Sequence, residues 1–209
     1  MYDTVIFDMD GTLLDTLDDL TAAVNHTLRQ YDYPAHTREE VRSFIGNGIG
    51  RLMRNAVPDN IDEDTFNHVF SSFRQYYTAH SSIETRPFAG IMTMLGELQR
   101  QGIKTAIVSN KNIEAVQALN EHFFSEYIQI AIGEKPGIRR KPYPDTLLEA
   151  MRLLDAGHTL YVGDSVVDKQ TADNAGVDCV LVRWGYGSDI DSLQPTGIIE
   201  SPAELLNML

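Results

Sequence analysis

From residue 85 onward, short β-branched runs alternate with helical segments, and this alternation most narrows the fold. Thr105-Ala106-Ile107-Val108 stops at Ser109-Asn110, Ile128-Gln129-Ile130-Ala131-Ile132 at Gly133, and Thr159-Leu160-Tyr161-Val162 at Gly163-Asp164-Ser165; Cys179-Val180-Leu181-Val182 follows. Between them, Ile91, Leu95 and Leu98, then Ile113, Val116, Leu119 and Phe123, then Leu147, Met151 and Leu154 recur at helical spacing. One further run, Thr4-Val5-Ile6-Phe7, opens the chain and ends in Asp8-Met9-Asp10-Gly11-Thr12. Apolar strands alternating with helices predict a parallel sheet covered on both faces.

Residues 15 to about 82 break this pattern. Leu17, Leu20, Val24, Leu28 and Tyr31 keep helical period, no convincing strand occurs, and Pro34, Gly46-Asn47-Gly48 and Pro58 divide the stretch into about four helices. Thr85-Arg86-Pro87-Phe88 reads as the return linker. The expected organisation is an α/β core of residues 1–14 and 85–209 carrying a helical insert at 15–84.

Composition excludes several classes of protein. The 209 residues are 43% apolar and 22% charged, which suits an ordinary globular chain. One cysteine, Cys179, rules out an internal disulfide framework and a Cys-built zinc site. Thirty acidic against 17 basic residues give a net charge of −13, a field that repels nucleic acid and anionic lipid. No stretch approaches the ~20 apolar residues of a membrane span, and the N-terminus has no basic, apolar leader. A cytoplasmic protein, monomeric or weakly dimeric, is therefore expected. The same negative field would repel an anionic substrate unless cations offset it locally.

In open α/β sheets, ligands bind at the carboxyl ends of the strands. Here those ends carry Asp8 and Asp10, Ser109, and Asp164. A lone acid after a strand is ordinarily a turn former or helix cap; several such ends together ask for another reason. Asp8 and Asp10, two residues apart, would point the same way about 7 Å apart in an extended segment. Gly11 permits a tight turn that leaves backbone N–H groups free to approach an anion. Asp164 and Asp168 are spaced to be neighbours at a helix start. Converging carboxylates need a positive partner, either a lysine or a hard, oxygen-preferring ion such as Mg²⁺. The local basic cluster Arg139-Arg140-Lys141 precedes a helix start, where a cation opposes the helix dipole, so helix stability gives Lys141 no reason to be there.

Four segments together resemble the motifs of the haloacid dehalogenase (HAD) superfamily. Asp8-Met9-Asp10-Gly11-Thr12-Leu13-Leu14-Asp15-Thr16 resembles the first, Ser109-Asn110-Lys111 the second, Lys141-Pro142-Tyr143-Pro144-Asp145 the third, and Gly163-Asp164-Ser165-Val166-Val167-Asp168 the fourth. They occur in the right order and cover nearly the whole chain. The insert resembles the helical cap of the phosphoglycolate-phosphatase-like and β-phosphoglucomutase-like branch. The resemblance implies a Rossmann-like, doubly wound core and a Mg²⁺-dependent phosphatase acting on a small phosphorylated metabolite. Asp8 would be the nucleophile forming an aspartyl-phosphate, and Asp10 the general acid and base. Asp8, the backbone carbonyl of Asp10 and Asp164 would hold the metal. Ser109 would bind a phosphoryl oxygen, and Lys141 would offset charge. Asp168 would position Lys141 or a metal-bound water. Backbone N–H groups after Asp8 and near Asn110 would complete the phosphate cradle, with Gly11, Thr12 and Asn110 among its binding residues. The cap segment Gly46–Arg51 resembles a glycine-rich helix start that meets the substrate, with Arg51 offering a bidentate contact; otherwise it is an interhelical turn with a surface arginine.

Lys169, beside Asp168, departs from the small residue expected there and would either perturb Asp168 or face solvent. Trp184 and Tyr186 either line the site entrance or pack on the core. A phosphomutase, a pyrophosphatase or a nucleotidase would keep the same motifs. A dehalogenase would not need Asp10. A receiver-type signalling domain would be shorter and lack the insert.

Overall fold

The structure is a computed structural model that describes residues 1–45 and 48–209; Gly46 and Asn47, part of the glycine-rich cap segment, lie outside the described residues. The chain forms two compact units, Met1–Leu14 with Pro87–Leu209, and Asp15–Arg86.

The first unit is an α/β sandwich. Its sheet strands are β1 (Thr4–Phe7), β4 (Lys104–Asn112), β5 (Ile130–Glu134), β6 (Thr159–Gly163), β7 (Asp178–Val182) and β8 (Gly197–Ile199). They lie in the order β5-β4-β1-β6-β7-β8, every neighbouring pair parallel. Strand period 2 sends alternate side chains to opposite faces. Val5, Phe7, Ile107, Leu160, Val162, Val180 and Val182 pack with α5 (Ile91–Arg100), α6 (Ile113–Phe123) and α9 (Pro202–Leu205). Ile6, Ala106, Val108, Ile132, Tyr161, Cys179 and Leu181 pack with α7 (Asp145–Leu154) and α8 (Val166–Ala175). Each helix contributes the apolar stripe read from its period, such as Ile91, Met94, Leu95 and Leu98 of α5.

Several details differ from the sequence reading, among them β4, which runs on through Ser109-Asn110 to Asn112. The expected strand at 128–132 starts later, because the Ile128 N–H is committed to the Phe124 carbonyl and its own carbonyl accepts from Asn120; the ladder begins with Ile130 beside Ala106. Strand β8, three residues long, is too short to show a period and was not anticipated; it extends the sheet where Gly197 pairs with Val180.

The second unit is helical: α1 (Leu17–Gln30), α2 (Arg38–Phe44), α3 (Gly48–Ala56) and α4 (Glu63–His80). Leu20, Val24 and Leu28 of α1 and Phe66, Val69, Phe73 and Tyr77 of α4 form buried stripes, and α1 packs against α4 and α2. Thr37 opens α2 with a capping box to Glu40, and Asp62 caps α4 by accepting the Thr65 N–H at 2.8 Å. The two crossing segments, β2 (Leu14–Asp15) and β3 (Arg86–Pro87), pair as a two-stranded ladder.

Candidate active site

The carboxyl ends of β1, β4 and β6 gather five buried charged side chains: Asp8, Lys111, Lys141, Asp164 and Asp168. One carboxylate oxygen from each of Asp8, Asp164 and Asp168 lies within 4.8 Å of the others. At such separations like charges repel strongly unless a cation intervenes.

Lys141 supplies one cation. Its Nζ donates to Asp8 Oδ1 at 2.6 Å, to Asp168 Oδ1 at 2.7 Å and to the Tyr161 hydroxyl at 3.0 Å, which uses all three of its protons. Burial pulls the pKa of this lysine down; the charges of Asp168 and Asp8 outweigh burial and hold it well above the ordinary value. The loop carrying it is fixed from two sides. Asn110 Oδ1 accepts the Lys141 N–H at 2.8 Å while its Nδ2 donates to the Lys141 carbonyl at 3.0 Å. Arg139, exposed in the same loop, makes a bidentate pair with Asp145 at 2.9 and 3.0 Å. The side chain of Asn110 thus anchors the lysine loop, a role the sequence did not suggest.

Asp168 is fully committed. Oδ1 accepts from Lys141 and from the Tyr161 hydroxyl at 3.1 Å, and Oδ2 accepts from the Asp164 N–H, the Ser165 N–H and the Ser165 hydroxyl at 3.2, 3.1 and 2.6 Å. Burial works against its ionisation, yet Lys141 and these donors hold its pKa below the usual carboxylate value. It therefore orients Lys141 and the start of α8. Lys169 reaches the other way, pairing with Asp173 at 2.6 Å.

Asp8 and Asp164 are not satisfied in this way. Asp8 accepts from Lys141 through Oδ1, and its second oxygen accepts nothing among the described residues. Burial pushes its pKa up to about 7, with Lys141 pulling down and Asp168 and Asp10 pushing up. Asp164 Oδ2 accepts the N–H groups of Tyr186 and Gly187 at 2.6 and 3.2 Å, which leaves Oδ1 open among the described residues. Burial first, then Asp168 and Asp8, raise the Asp164 pKa well above the ordinary value. Of the three clustered carboxylates, one ammonium bonds only Asp8 and Asp168, and Asp8 and Asp164 each keep an oxygen uncommitted among the described residues. An oxygen-only donor set with surplus negative charge fits a hard divalent cation.

The turn after Asp8 divides its N–H groups in two. Those of Gly11 and Thr12 close the turn, donating to the carbonyls of Leu14 at 2.9 Å and Met9 at 3.3 Å. The N–H groups of Met9 and Asp10 donate to no protein acceptor among the described residues, so the available donors sit earlier in the turn. The Thr12 hydroxyl is buried without a partner among the described residues. Gly11 is required for a different reason: its φ is +87°, and a Cβ there would lie 2.4 Å from Asp164 Oδ2. Ser109, 3% exposed, accepts the Lys111 N–H at 3.1 Å, and its own hydroxyl proton has no acceptor among the described residues. Asp10 is held by Lys111, whose Nζ lies 2.9 and 3.0 Å from its two oxygens. Arg51 lies exposed on α3 of the helical unit.

Sequence reasoning gave no role to Lys111, Tyr161 or the Tyr186–Gly187 backbone. Lys111 stood inside a quoted motif, and a lysine ending a buried strand was its signal. Tyr161 was concealed in an apolar run; burial keeps it a phenol. The backbone donors carry no residue signature. Trp184 packs on the core and donates to the Thr12 carbonyl at 3.1 Å. Cys179 is buried in β7, and burial pushes its thiol pKa up, which suits a packing role.

A doubly wound sheet with this charge cluster at its carboxyl edge defines a class of hydrolase, and comparison with known proteins gives the family. Residues 5–182 match the haloacid dehalogenase-like hydrolases. The chain is 35% identical to phosphoglycolate phosphatase 1 of Pseudomonas aeruginosa, across 97% of this chain and 78% of that protein. It is 34% identical to the phosphoglycolate phosphatase of Neisseria gonorrhoeae, across 98% and 92%. The crystal structure of a protein from Lactobacillus delbrueckii subsp. bulgaricus superposes with a TM-score of 0.93 at 35% identity, covering 99% of this chain and 98% of that one. The chain belongs to the haloacid dehalogenase-like hydrolases.

Proposed function

We propose that the protein is a Mg²⁺-dependent phosphatase acting on a small phosphorylated metabolite, with phosphoglycolate the leading substrate because its relatives carry that name. The observation that carries the reading is the incomplete charge balance: Asp8 is held by Lys141 through one oxygen and keeps the other uncommitted beside Asp164.

Asp8, the backbone carbonyl of Asp10 and Asp164 would hold the ion. When bound, Mg²⁺ supplies the positive charge that lets an anionic carboxylate meet an anionic phosphoryl group. The free Asp8 oxygen attacks phosphorus, the bond from phosphorus to the leaving oxygen breaks, and that oxygen takes a proton from Asp10. Asp10, now a carboxylate, removes a proton from water, whose oxygen attacks the aspartyl-phosphate and returns Asp8 and inorganic phosphate. Lys141 stays protonated and offsets charge on Asp8. The Ser109 hydroxyl, the Thr12 hydroxyl and the early-turn N–H groups hold phosphoryl oxygens. Arg51 of the helical unit contributes to leaving-group choice.

The test is turnover of a panel containing phosphoglycolate, pyrophosphate, nucleoside monophosphates and hexose phosphates. The expected result is phosphate release that stops in excess chelator, returns with Mg²⁺ and is highest for phosphoglycolate. Full activity in chelator, or no turnover of any member, would overturn the reading; preference for another member would replace the substrate alone.

A further inference from the structure

We infer that Lys111 is a positioning residue that holds the Asp10 side chain where the leaving oxygen departs; the inference rests on the phosphatase reading above. A lysine at the end of a buried strand is costly unless its ammonium is paired. The Lys111 side chain is 4% exposed and that of Asp10 19%, and the pair is bidentate, with Nζ 2.9 and 3.0 Å from the two oxygens.

The backbone beneath Lys111 is fixed. Its N–H donates to Ser109 Oγ at 3.1 Å, and the next residue, Asn112, caps α6 by accepting the Ala115 N–H at 2.9 Å. On neighbouring β5, a Cβ at Gly133 would fall 2.6 Å from the Lys111 carbonyl oxygen and 2.7 Å from Ile113 Cα. Only glycine lets β5 approach that bend so closely. The strand end is thus locked while the ammonium reaches Asp10.

Stability gives a weak reason for this arrangement, because an apolar residue commonly replaces a buried ion pair without loss. Positioning gives a stronger one. Asp10 lies just before the tight turn at Gly11–Leu13, outside any regular strand or helix, and its carboxylate has no other partner among the described residues. Lys141 has no proton left for it, with Asp8, Asp168 and Tyr161 taking all three. The site therefore has two buried lysines with separate charges in their care, Lys141 for the nucleophile and Lys111 for the acid. A general acid must come within about 2.6–3.2 Å of the oxygen it protonates, and a displacement of about 1 Å costs ~10²-fold.

The test compares an alkyl phosphate, a poor leaving group, with 4-nitrophenyl phosphate, a good one, in Mg²⁺. Full-length wild type, Lys111→Met, Asp10→Asn and the double variant are measured. Lys111→Met is expected to lower kcat on the alkyl phosphate by ~10–100-fold and on the nitrophenyl ester by only a few-fold. It should add no further loss in the Asp10→Asn background. Lys111→Gln, which keeps an N–H donor, should recover part of the alkyl activity, and it carries the same comparison if Lys111→Met does not fold. Equal losses on both substrates, losses that multiply with Asp10→Asn, or a raised KM with kcat unchanged would overturn the inference. A wild type inactive on both substrates would instead remove the phosphatase reading.

Discussion

Asp19 and Asp168 are each the third residue of a helix, and each is a buried carboxylate, at 4% and 1% exposure. Their surroundings differ. Asp19, in the helical unit, accepts the Glu84 N–H at 3.0 and 3.1 Å, the Thr85 N–H at 2.9 Å and the Thr85 hydroxyl at 2.8 Å, all neutral donors from one short segment. Asp168, in the α/β unit, shares a charged lysine with Asp8 and lies in a cluster with Asp8 and Asp164. Burying a carboxylate is therefore not the mark of a site. A single acid wrapped by backbone donors ties chain segments together, whereas acids that outnumber their cations are poised to take up a ligand.

The sharpest way to break this comparison is to neutralise one acid of the crowded cluster. Asp8→Asn keeps the shape but removes both the nucleophile and an anionic donor. It is expected to cost at least ~10³-fold in kcat, as removal of an essential catalytic group does elsewhere. Thermal unfolding of the variant should move little, because one surplus negative charge has gone. Robust turnover by Asp8→Asn would mean that the cluster is a structural network like that of Asp19.

The two regions also differ in how much of them was legible in sequence. In the α/β unit, β1 begins and ends where its β-branched run does, and Asp8 and Asp164 stand where strands stop, because strand ends must carry turn residues and the turn residues here are acids. Lys111 and Asn110 were legible as members of a motif but not as holders of Asp10 and of the Lys141 backbone. Those contacts join residues 101 and 31 positions apart, and no local period encodes them. Which N–H groups after Asp8 stay free is not legible in residue types, because a tight turn consumes some of its own donors, here those of Gly11 and Thr12, according to its hydrogen-bond pattern. In the helical unit, amphipathic period reveals the buried stripe, while the Asp19 network, closed by Glu84 and Thr85, depends on a return segment 65 residues away.

Arg51 tests whether the helical unit takes part in selection. Removing one charge-assisted contact costs about 1.5–3 kcal/mol, and only for substrates that use it. Arg51→Ala is expected to lower kcat/KM for the preferred anionic metabolite by ~10–100-fold and to leave an aryl phosphate nearly unchanged. A parallel fall for both substrates would assign Arg51 to the fold of the helical unit, and no fall would make it a surface residue. Asp19→Asn sharpens the other half of the comparison. Its amide brings an N–H against the donors of Glu84 or Thr85, so a loss of about 1–3 kcal/mol in stability is expected. Activity per folded molecule should stay close to wild type; a large fall in kcat at full folding would contradict the purely structural reading of Asp19.

The smallest expected effect lies at the start of α2. This helix has seven residues and one buried side chain, Val41, so it has little packing to offset the cost of nucleation. Its capping box offsets part of that cost: Thr37 Oγ1 accepts the Glu40 N–H at 3.2 Å, and the Thr37 N–H and hydroxyl donate to Glu40 Oε2 at 2.7 and 2.9 Å. Thr37→Ala removes the hydroxyl and is expected to cost about 1 kcal/mol, with Thr37→Ser restoring most of it. For a chain of this size that is a fall in Tm of about 2–4 °C, read by calorimetry beside kcat/KM for an aryl phosphate. Stability should fall while catalysis holds, because among the described residues Thr37 bonds only to its own helix start. If kcat/KM fell several-fold in Thr37→Ala and recovered in Thr37→Ser, local order in the helical unit would govern the chemical step, and the division between a unit that packs its charges and a unit that uses them would not hold.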